Sequence, residues 1–437
     1  MKVAVVGLGK MGLPFAVNAA QQGHEVIGCD RDQVTVDLVN SGRCSLDKEP
    51  FLEERLLEVV SQRSLSATTS IGDAVRASDA VVVLVPVYVD SLGRSQFDSI
   101  DQVTLEIAKN ARPGLLVCYE TTLPVGTTRN RFGKKLTEVS GLTLDEDIMV
   151  CFSPERVSSG TVFQDLSRYP KLIGAIGPKS KEIASSFYRS ILSLDSGDSD
   201  SSNQIWVLEN CESAELAKLA ETTYRDVNIA LANQFAMYGD RLGLNIHEII
   251  SACNSQPFSH IHSPGIAVGG HCIPVYPKMY LEGDPGAQLV SVARKLNEEV
   301  PLYAVDRIQQ SLGFKNLSGM TTLILGLAYR KGVKEDAFSG AYQLKSALES
   351  AGSKVLILDP LYTQEELIQR GFEVFKVGEQ ADILILHTDD ETYATFSEAD
   401  FPGLRLVFDG RNKFQDDQFG KTPVLGLGRG VDKSGTT

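Results

Sequence analysis

The sequence predicts an α/β protein: two Rossmann-like, doubly wound parallel-sheet domains joined by a central helical domain with a long helix. Three observations carry this expectation. The first thirty residues run strand, glycine turn, helix, strand. Glu212 to Leu242 repeats apolar residues at helix spacing. From Met320 onward, strands again alternate with helical stretches. A chain of 437 residues with 43% hydrophobic composition exceeds one ordinary core and can fill several.

The opening strand, Val3 to Val6, runs into Gly7-Leu8-Gly9-Lys10-Met11-Gly12 and then a helical pattern through Phe15, Val17 and Ala20. A second strand, His24 to Cys29, ends at Asp30. This is a GxGxxG fingerprint in its required context, with an acidic residue about 20 positions downstream. Gly7 makes the turn, Gly9 lets a pyrophosphate approach the backbone, and Gly12 lets the helix pack on the strand, so that the helix N-terminus faces the phosphates. Asp30 would accept hydrogen bonds from the adenosine ribose and repel a 2′-phosphate, so the expected cofactor is NAD rather than NADP.

Further strands are expected at Ala80 to Pro86 and Leu115 to Tyr119, with a helix at Ile100 to Lys109 between them. Two loops then follow strand ends, where such sheets place ligands. One is the hydroxyl-rich Glu120 to Thr128. The other follows the strand Ile148 to Phe152 and reads Ser153-Pro154-Glu155-Arg156-Val157. Glu155 is either a surface carboxylate or a site residue. Ser193 to Ser202 reads as a polar surface loop near a domain edge.

On the long helix Lys218, Thr222, Arg225 and Ile229 share one face. A helical lysine is most often solvated, so the weight of Lys218 depends on what lies opposite it. A helix of this length commonly spans domains or forms an oligomer interface. Helical patterns resume at Gly286 to Gln310 and close the central domain. The second α/β unit follows with the strand Thr322 to Leu325, the loop Gly326 to Lys331, a helix near Gly340 to Ala351, and strands Lys354 to Leu358, Ile383 to Leu386 and Leu404 to Phe408. It echoes the first unit without GxGxxG. Arg330, Lys331 and Arg411 sit just past strand ends, where cations would meet a phosphate. Lys433 to Thr437 reads as a frayed tail.

Within the central region, Pro264 to Pro277 surrounds a thiol, Cys272, with Gly265, Gly269 and Gly270 and with Pro264, Pro274 and Pro277. The glycines permit close approach, and the prolines restrict the flanks and exclude a helix inside the loop. Three readings stand for Cys272: a small buried apolar residue, a thiolate nucleophile, or a metal ligand with His260, His262 and His271. The last spacing matches no zinc pattern, and no metal is expected.

A formal charge of −14 argues against a nucleic-acid surface and against an anionic membrane. No run approaches the roughly 18 apolar residues of a membrane span, and the apolar opening is too short for a signal-peptide core. Seven cysteines without a CxxC pair suit a reducing cytoplasm. Small molecules are the expected partners.

Taken in order, Gly7 to Asp30, Glu120 to Thr128, Phe152 to Val157, Ala214 to Ala232, Pro264 to Pro277, Gly326 to Lys331 and Phe408 to Asn412 resemble the motifs of the UDP-glucose/GDP-mannose dehydrogenase family. The resemblance covers nearly the whole chain. Glu215 to Glu221 followed by Arg225 to Ala230 is similar to the signature of the branch that oxidises UDP-N-acetylhexosamines. The resemblance implies an NAD-binding domain at 1–203, a central helical dimerisation domain carrying the Cys272 loop at 204–312, and a UDP-sugar-binding domain at 313–437. It implies four-electron oxidation of sugar carbon 6 to a uronate, with UDP-N-acetylmannosamine the first substrate choice, UDP-N-acetylglucosamine next and UDP-glucose third.

Residue by residue, the resemblance makes Cys272 the nucleophile that holds the aldehyde as a thiohemiacetal and then a thioester. Lys218 becomes the cation at the carbon 6 oxygen, Glu155 the proton- and water-handling carboxylate, and Thr122 a hydroxyl near that water. Lys10, Met11, Pro86, Thr122 and Glu155 join the glycines and Asp30 at the cofactor. Arg156, Lys218, Arg225, Asn228, Gly269, Lys331 and Arg411 fall on the substrate. Two positions depart from the family pattern: Thr222 stands where asparagine is usual, and Tyr276 where aspartate is usual. A phenol there can only donate a hydrogen bond near neutral pH, where a carboxylate would move protons. The departures motivate two alternatives, a two-electron relative and a nucleotide-sugar or NAD-binding protein without turnover.

Overall fold

A computed structural model of the chain describes residues 1–46, 49–90, 92–157, 160–192 and 205–430. The expected loop Ser193 to Ser202, the tail Lys433 to Thr437 and the 203/204 boundary lie outside the described residues. The chain divides into two compact units, Met1–Glu221 with Lys278–Asp284, and Thr222–Pro277 with Pro285–Thr437.

In the first unit the strands are β1 (Lys2–Val6), β2 (Glu25–Cys29), β3 (Leu65–Thr68), β4 (Ala80–Val83), the short pair β5 (Tyr88–Val89) and β6 (Ser95–Gln96), β7 (Leu116–Tyr119), β8 (Met149–Phe152), β9 (Lys171–Ala175) and β10 (Ile205–Val207). The main sheet has the order β10-β9-β8-β7-β4-β1-β2-β3. Central strands such as Val3 to Val6 and Ala80 to Val83 are buried along their length, because a parallel sheet covered on both faces needs apolar side chains on both. Val3 pairs with Val26 on one side and with Ala80 on the other. Among the described residues of this sheet only the β8–β9 pairing is antiparallel, with Cys151 opposite Ala175. The expected strand Ala80 to Pro86 ends at Val83, before a proline that cannot donate to a ladder.

The second unit holds β11 (Thr321–Leu325), β12 (Lys354–Leu358), β13 (Glu373–Val374), β14 (Ile383–Leu386), β15 (Leu406–Asp409) and β16 (Val424–Gly426). Their order is β13-β12-β11-β14-β15-β16, and every pairing is parallel. Alternate residues feed two cores: Ile324, Ile357, Ile385 and Phe408 enter one, and Leu323, Leu325, Leu356 and Leu384 the other.

The long helix is Cys211–Leu242, 32 residues, or about 48 Å at the usual rise. Within the second unit its later turns pack against the helix Gln288–Leu312 through a buried polar knot. Arg294 donates to Asp226 Oδ1 at 2.6 Å, and Asn297 donates to the same oxygen at 2.8 Å and accepts from Asn233 at 2.9 Å. A buried pair of this kind costs about 3–5 kcal/mol when one partner alone is removed. Pro301 lies inside the Gln288–Leu312 helix without ending it. One local expectation gives way. The helix Tyr276–Gly283 begins inside the Pro264–Pro277 segment, with Pro277 in its first turn, where proline's missing N–H has no partner to lose.

Candidate active site

In the first unit the chain runs outward from β1 through β2 to β3 and returns to β4 on the other side of β1, which opens a crevice at the carboxyl ends of β1 and β4. The fingerprint lies there. Gly7 has φ +98°, a left-handed conformation natural to glycine. A Cβ on Gly12 would sit 1.7 Å from the Gly7 carbonyl oxygen, so only glycine lets the helix Gly12–Gln21 start this close to the turn. A Cβ on Gly9 would meet no atom within 4 Å. Met11 stands at the N-cap of that helix and supplies no side-chain cap, and Lys10 is exposed beside it. Open space at Gly9 and uncapped leading amides fit a dinucleotide pyrophosphate. Asp30 is half-buried; Oδ2 accepts from Leu8 N at 2.9 Å and Oδ1 from Asp32 N at 3.0 Å, so the acid that would hold the ribose also fixes the turn. Pro86 is exposed on the loop after β4.

Thr122 is buried in the loop after β7. Glu215, buried on the long helix, pins that loop by accepting from Gly126 N at 2.5 Å and Thr128 N at 2.8 Å. Burial pushes the Glu215 carboxyl up to about 7 against those donors. Glu155 follows β8, and its Oε1 accepts from Arg156 N at 2.7 Å and Val157 N at 3.2 Å. Its Oε2 accepts from Lys171 at 3.2 Å, and Lys171 also donates to Glu120 at 2.8 Å. Lys218 is buried and donates to Glu221 at 3.2 Å; the other oxygen of Glu221 accepts from Arg156 Nε at 3.0 Å. The first unit thus brings together Glu155, Arg156 and, through Glu221, Lys218. Lys171 escaped the sequence reading because β9 was not foreseen; a lysine at the mouth of the apolar run Leu172 to Ile176 was the available signal.

In the second unit Cys272 is exposed. Its carbonyl accepts from Tyr276 N at 2.9 Å and Val275 N at 3.3 Å, so the thiol-bearing residue sits at the entry of the helix that Tyr276 begins. The loop is stitched at four further points. Gly265 N donates to Asn233 at 3.0 Å, Ile266 N to Gly410 O at 3.1 Å, Gly270 N to Ala337 O at 2.8 Å, and the Ile273 carbonyl accepts from Arg294 at 3.3 Å. Gly269 packs so closely on Tyr329 that a Cβ would lie 2.6 Å from the tyrosine Cβ. A Cβ on Gly265 would lie 2.7 Å from an Arg411 guanidinium nitrogen, so Arg411 borders the loop.

Arg411 donates to the His387 carbonyl at 2.6 Å, and burial lowers it to about 10, still charged near neutral pH. Lys331 is half-exposed and pairs with Glu391 at 3.4 Å. Arg225 is exposed, and Thr222 is buried on the long helix. Asn228 spends its amide on the backbone, donating to His260 O at 2.7 Å and accepting from His262 N at 2.8 Å. Its visible work is to hold the segment leading into the Cys272 loop. Asn233 and Arg294, which clamp that loop, were not singled out from the sequence, because helix spacing shows which residues share a face and not what packs against it.

Comparison with known proteins assigns most of the chain. Profiles of the UDP-glucose/GDP-mannose dehydrogenase family match residues 1–192 as its NAD binding domain, 212–299 as its central domain and 323–416 as its UDP binding domain. The chain belongs to this family. It is an NAD-dependent nucleotide-sugar dehydrogenase with a UDP-sugar-binding domain. Across 442 residues it is 33% identical to the UDP-N-acetyl-D-mannosamine dehydrogenase of Pyrococcus horikoshii, covering 98% of this chain and 100% of the relative. It is 31% identical over 420 residues to the NDP-N-acetyl-D-galactosaminuronic acid dehydrogenase of Ralstonia nicotianae, covering 94% and 95%. The solved structure of UDP-D-ManNAc dehydrogenase from Pyrococcus horikoshii superposes with a TM-score of 0.86 at 29% identity, over 98% of this chain and 100% of that one. Among the described residues no helix of the dehydrogenase is long and apolar enough to cross a membrane.

Proposed function

We propose that this dehydrogenase oxidises carbon 6 of a UDP-N-acetylhexosamine, UDP-N-acetylmannosamine before UDP-N-acetylglucosamine or UDP-glucose, to the uronate. The observation that carries the reading is the likeness, over 98% of the chain, to a relative named for UDP-N-acetyl-D-mannosamine. Converting a primary alcohol to a carboxylate removes four electrons, and bound NAD supplies the hydride acceptor for each of the two oxidations. Cys272, as a thiolate, adds to the aldehyde carbon and keeps it from leaving. Loss of the second hydride gives a thioester, which water hydrolyses to the uronate and the free thiolate. Lys218 stabilises the negative oxygen on carbon 6, and Glu155 with Thr122 orients the hydrolytic water. Lys331 and Arg411 take the diphosphate, and Arg156, Arg225 and Gly269 contribute to the sugar and nucleotide site.

The rigid stitching of the Cys272 loop supports this reading, since a nucleophile gains most when its position is fixed before substrate arrives. Cys272→Ala is expected to abolish uronate formation while leaving UDP-sugar binding within about threefold of wild type. The wild-type enzyme is expected to form two NADH per UDP-N-acetylmannosamine consumed. Acid made at the wild-type rate by the alanine variant would exclude the covalent route, and one NADH per sugar would favour an enzyme that stops at the aldehyde.

We further propose that regions 1–203, 204–312 and 313–437 act as the NAD-binding, dimerisation and UDP-sugar-binding domains. The later turns of the long helix expose Tyr224, Leu231, Phe235, Tyr238 and Leu242. Their spacing of three, four and seven residues puts them in one stripe, as a helix that pairs with a second copy of itself requires. Sedimentation velocity should give the mass of two chains; a single-chain mass at micromolar concentration would rule the dimer out.

A further inference from the structure

The first unit buries one ammonium between two carboxylates, and the topology explains how they meet. β7 and β8 end at the ligand edge of the sheet, and Glu120 and Glu155 lie just past those ends. β9 runs antiparallel to β8, so its first residue, Lys171, arrives at the same edge. The side chains of Lys171, Glu120 and Glu155 are 6%, 0% and 13% exposed. Fully ionised, the three carry a net charge of −1 with little water to solvate it, which favours keeping one carboxyl protonated.

The two carboxyls differ in what they could give up. Glu155 is bonded by two backbone N–H groups and by Lys171, donors that cannot reverse, and it meets the Glu120 carboxyl directly. Glu120 is bonded by Lys171 at 2.8 Å and by the Tyr188 hydroxyl at 2.7 Å. A hydroxyl can rotate from donor to acceptor, so Glu120 can take a proton without losing that hydrogen bond. The charged or titratable groups around it are Lys171, Glu155, Tyr188, Cys118 and Cys151. Among these the only cation is Lys171. Burial raises the Glu120 carboxyl to about 7. On Glu155 burial is the largest influence, but Lys171, the Arg156 amide and the hydrogen bond with Glu120 together outweigh it and hold the group below the ordinary carboxylate range.

We propose that Glu120 is the proton store of the active site and that Lys171 is a positioning residue that holds Glu155 and Glu120 against each other. The inference rests on the assignment of Glu155 to the hydrolytic water. When that water attacks the thioester it gives a proton to Glu155. Glu155 passes that proton to the Glu120 carboxyl, which it meets directly, while Lys171 stays an ammonium between them. Glu155 is again a carboxylate and Glu120 holds the proton. No electrons change hands.

The test compares full-length wild type with Glu120→Gln, Lys171→Met, Lys171→Arg and Glu155→Gln, using saturating NAD and UDP-N-acetylmannosamine across the pH range. In wild type kcat should fall on the acidic side of about pH 7, because a protonated Glu120 cannot accept. In Glu120→Gln that acidic limb should vanish, with kcat about tenfold lower at the optimum and both KM values within about twofold. Lys171→Met should lower kcat about a hundredfold, and Lys171→Arg should recover part of it.

Thermal unfolding supplies a readout independent of turnover. A carboxyl raised on folding contributes stability below its unfolded pKa, and that stability is lost as pH rises through about 7. Glu120→Gln should therefore gain on wild type in Tm as pH rises from the ordinary glutamate range to above neutrality. An unchanged acidic limb in Glu120→Gln, or a Tm difference that does not move with pH, overturns the proton store. A Glu155→Gln variant that keeps the wild-type rate instead overturns the assignment of Glu155 on which the inference rests.

Discussion

The two sheets of the enzyme begin with the same turn and finish it differently. Gly7 and Gly326 both follow the first strand of their sheet with φ +98°. Each donates its N–H at 2.8 Å to the last carbonyl of the second strand, Cys29 in one case and Leu358 in the other. In each the next amide bonds to an aspartate just past that strand, Leu8 to Asp30 and Leu327 to Asp359. From there they diverge. In the first sheet the helix begins at Gly12, with its leading amides free of a side-chain cap. In the second the helix waits until Gly340, and Asp359 takes the Leu327 and Ala328 amides at 2.7 and 2.8 Å. The intervening loop carries Arg330, Lys331 and Lys334 instead. One backbone turn thus suits two proposed ways of meeting a phosphate: a helix N-terminus for the dinucleotide, and side-chain cations for the UDP-sugar.

The sharpest way to break this comparison is to add one methyl group at each turn. Gly12→Ala should have the largest effect, because its Cβ would overlap backbone at Gly7 and the turn must open. Overpacking of this kind costs about 1–3 kcal/mol, and NAD affinity should fall at least about a hundredfold as the amides move. Gly9→Ala meets no atom within 4 Å, so its Tm should stay within about 1 °C while NAD binding weakens about tenfold. Gly326→Ala should lower Tm, because of its left-handed φ and a Thr388 Cβ at 2.6 Å, and leave NAD affinity unchanged. Calorimetric unfolding together with NAD titration separates the three. Unchanged NAD affinity in Gly9→Ala would mean that the pyrophosphate does not pass there.

How far the sequence discloses this architecture depends on whether a feature is local. β1 and β12 are legible because strands buried on both faces must be apolar throughout, and the helix Cys211–Leu242 is legible because its apolar spacing persists over many turns. β9 is not: its first residue is a lysine, and its antiparallel pairing has no local signal. Two- and three-residue strands such as β13 and β16 exist because a neighbour supplies the ladder. The candidate site divides the same way. The loops bearing Glu155 and Cys272 announce themselves by strand ends and by glycine and proline. Their partners Lys171 and Arg294 are distant in sequence and become visible only through packing. Asn228 belongs with these partners, since its amide is engaged by the backbone of residues 260–262, a contact that no local pattern announces.

The two aspartates give the finer test, because here one residue type does different work in the two sheets. Asp359 is buried and a single oxygen serves two amides, so Asp359→Asn weakens two charge-assisted bonds and should cost about 1–3 kcal/mol. Asp30 is half-buried and holds only the Leu8 amide of its glycine turn, so Asp30→Asn should cost less than about 1 kcal/mol. Cofactor choice should respond in the opposite order. Without its charge, residue 30 no longer repels a 2′-phosphate, so the preference for NAD over NADP should narrow about tenfold in Asp30→Asn and stay at the wild-type value in Asp359→Asn. Equal losses of stability with no change in cofactor preference would mean that both aspartates only brace a turn, and that discrimination against NADP arises elsewhere in the first unit.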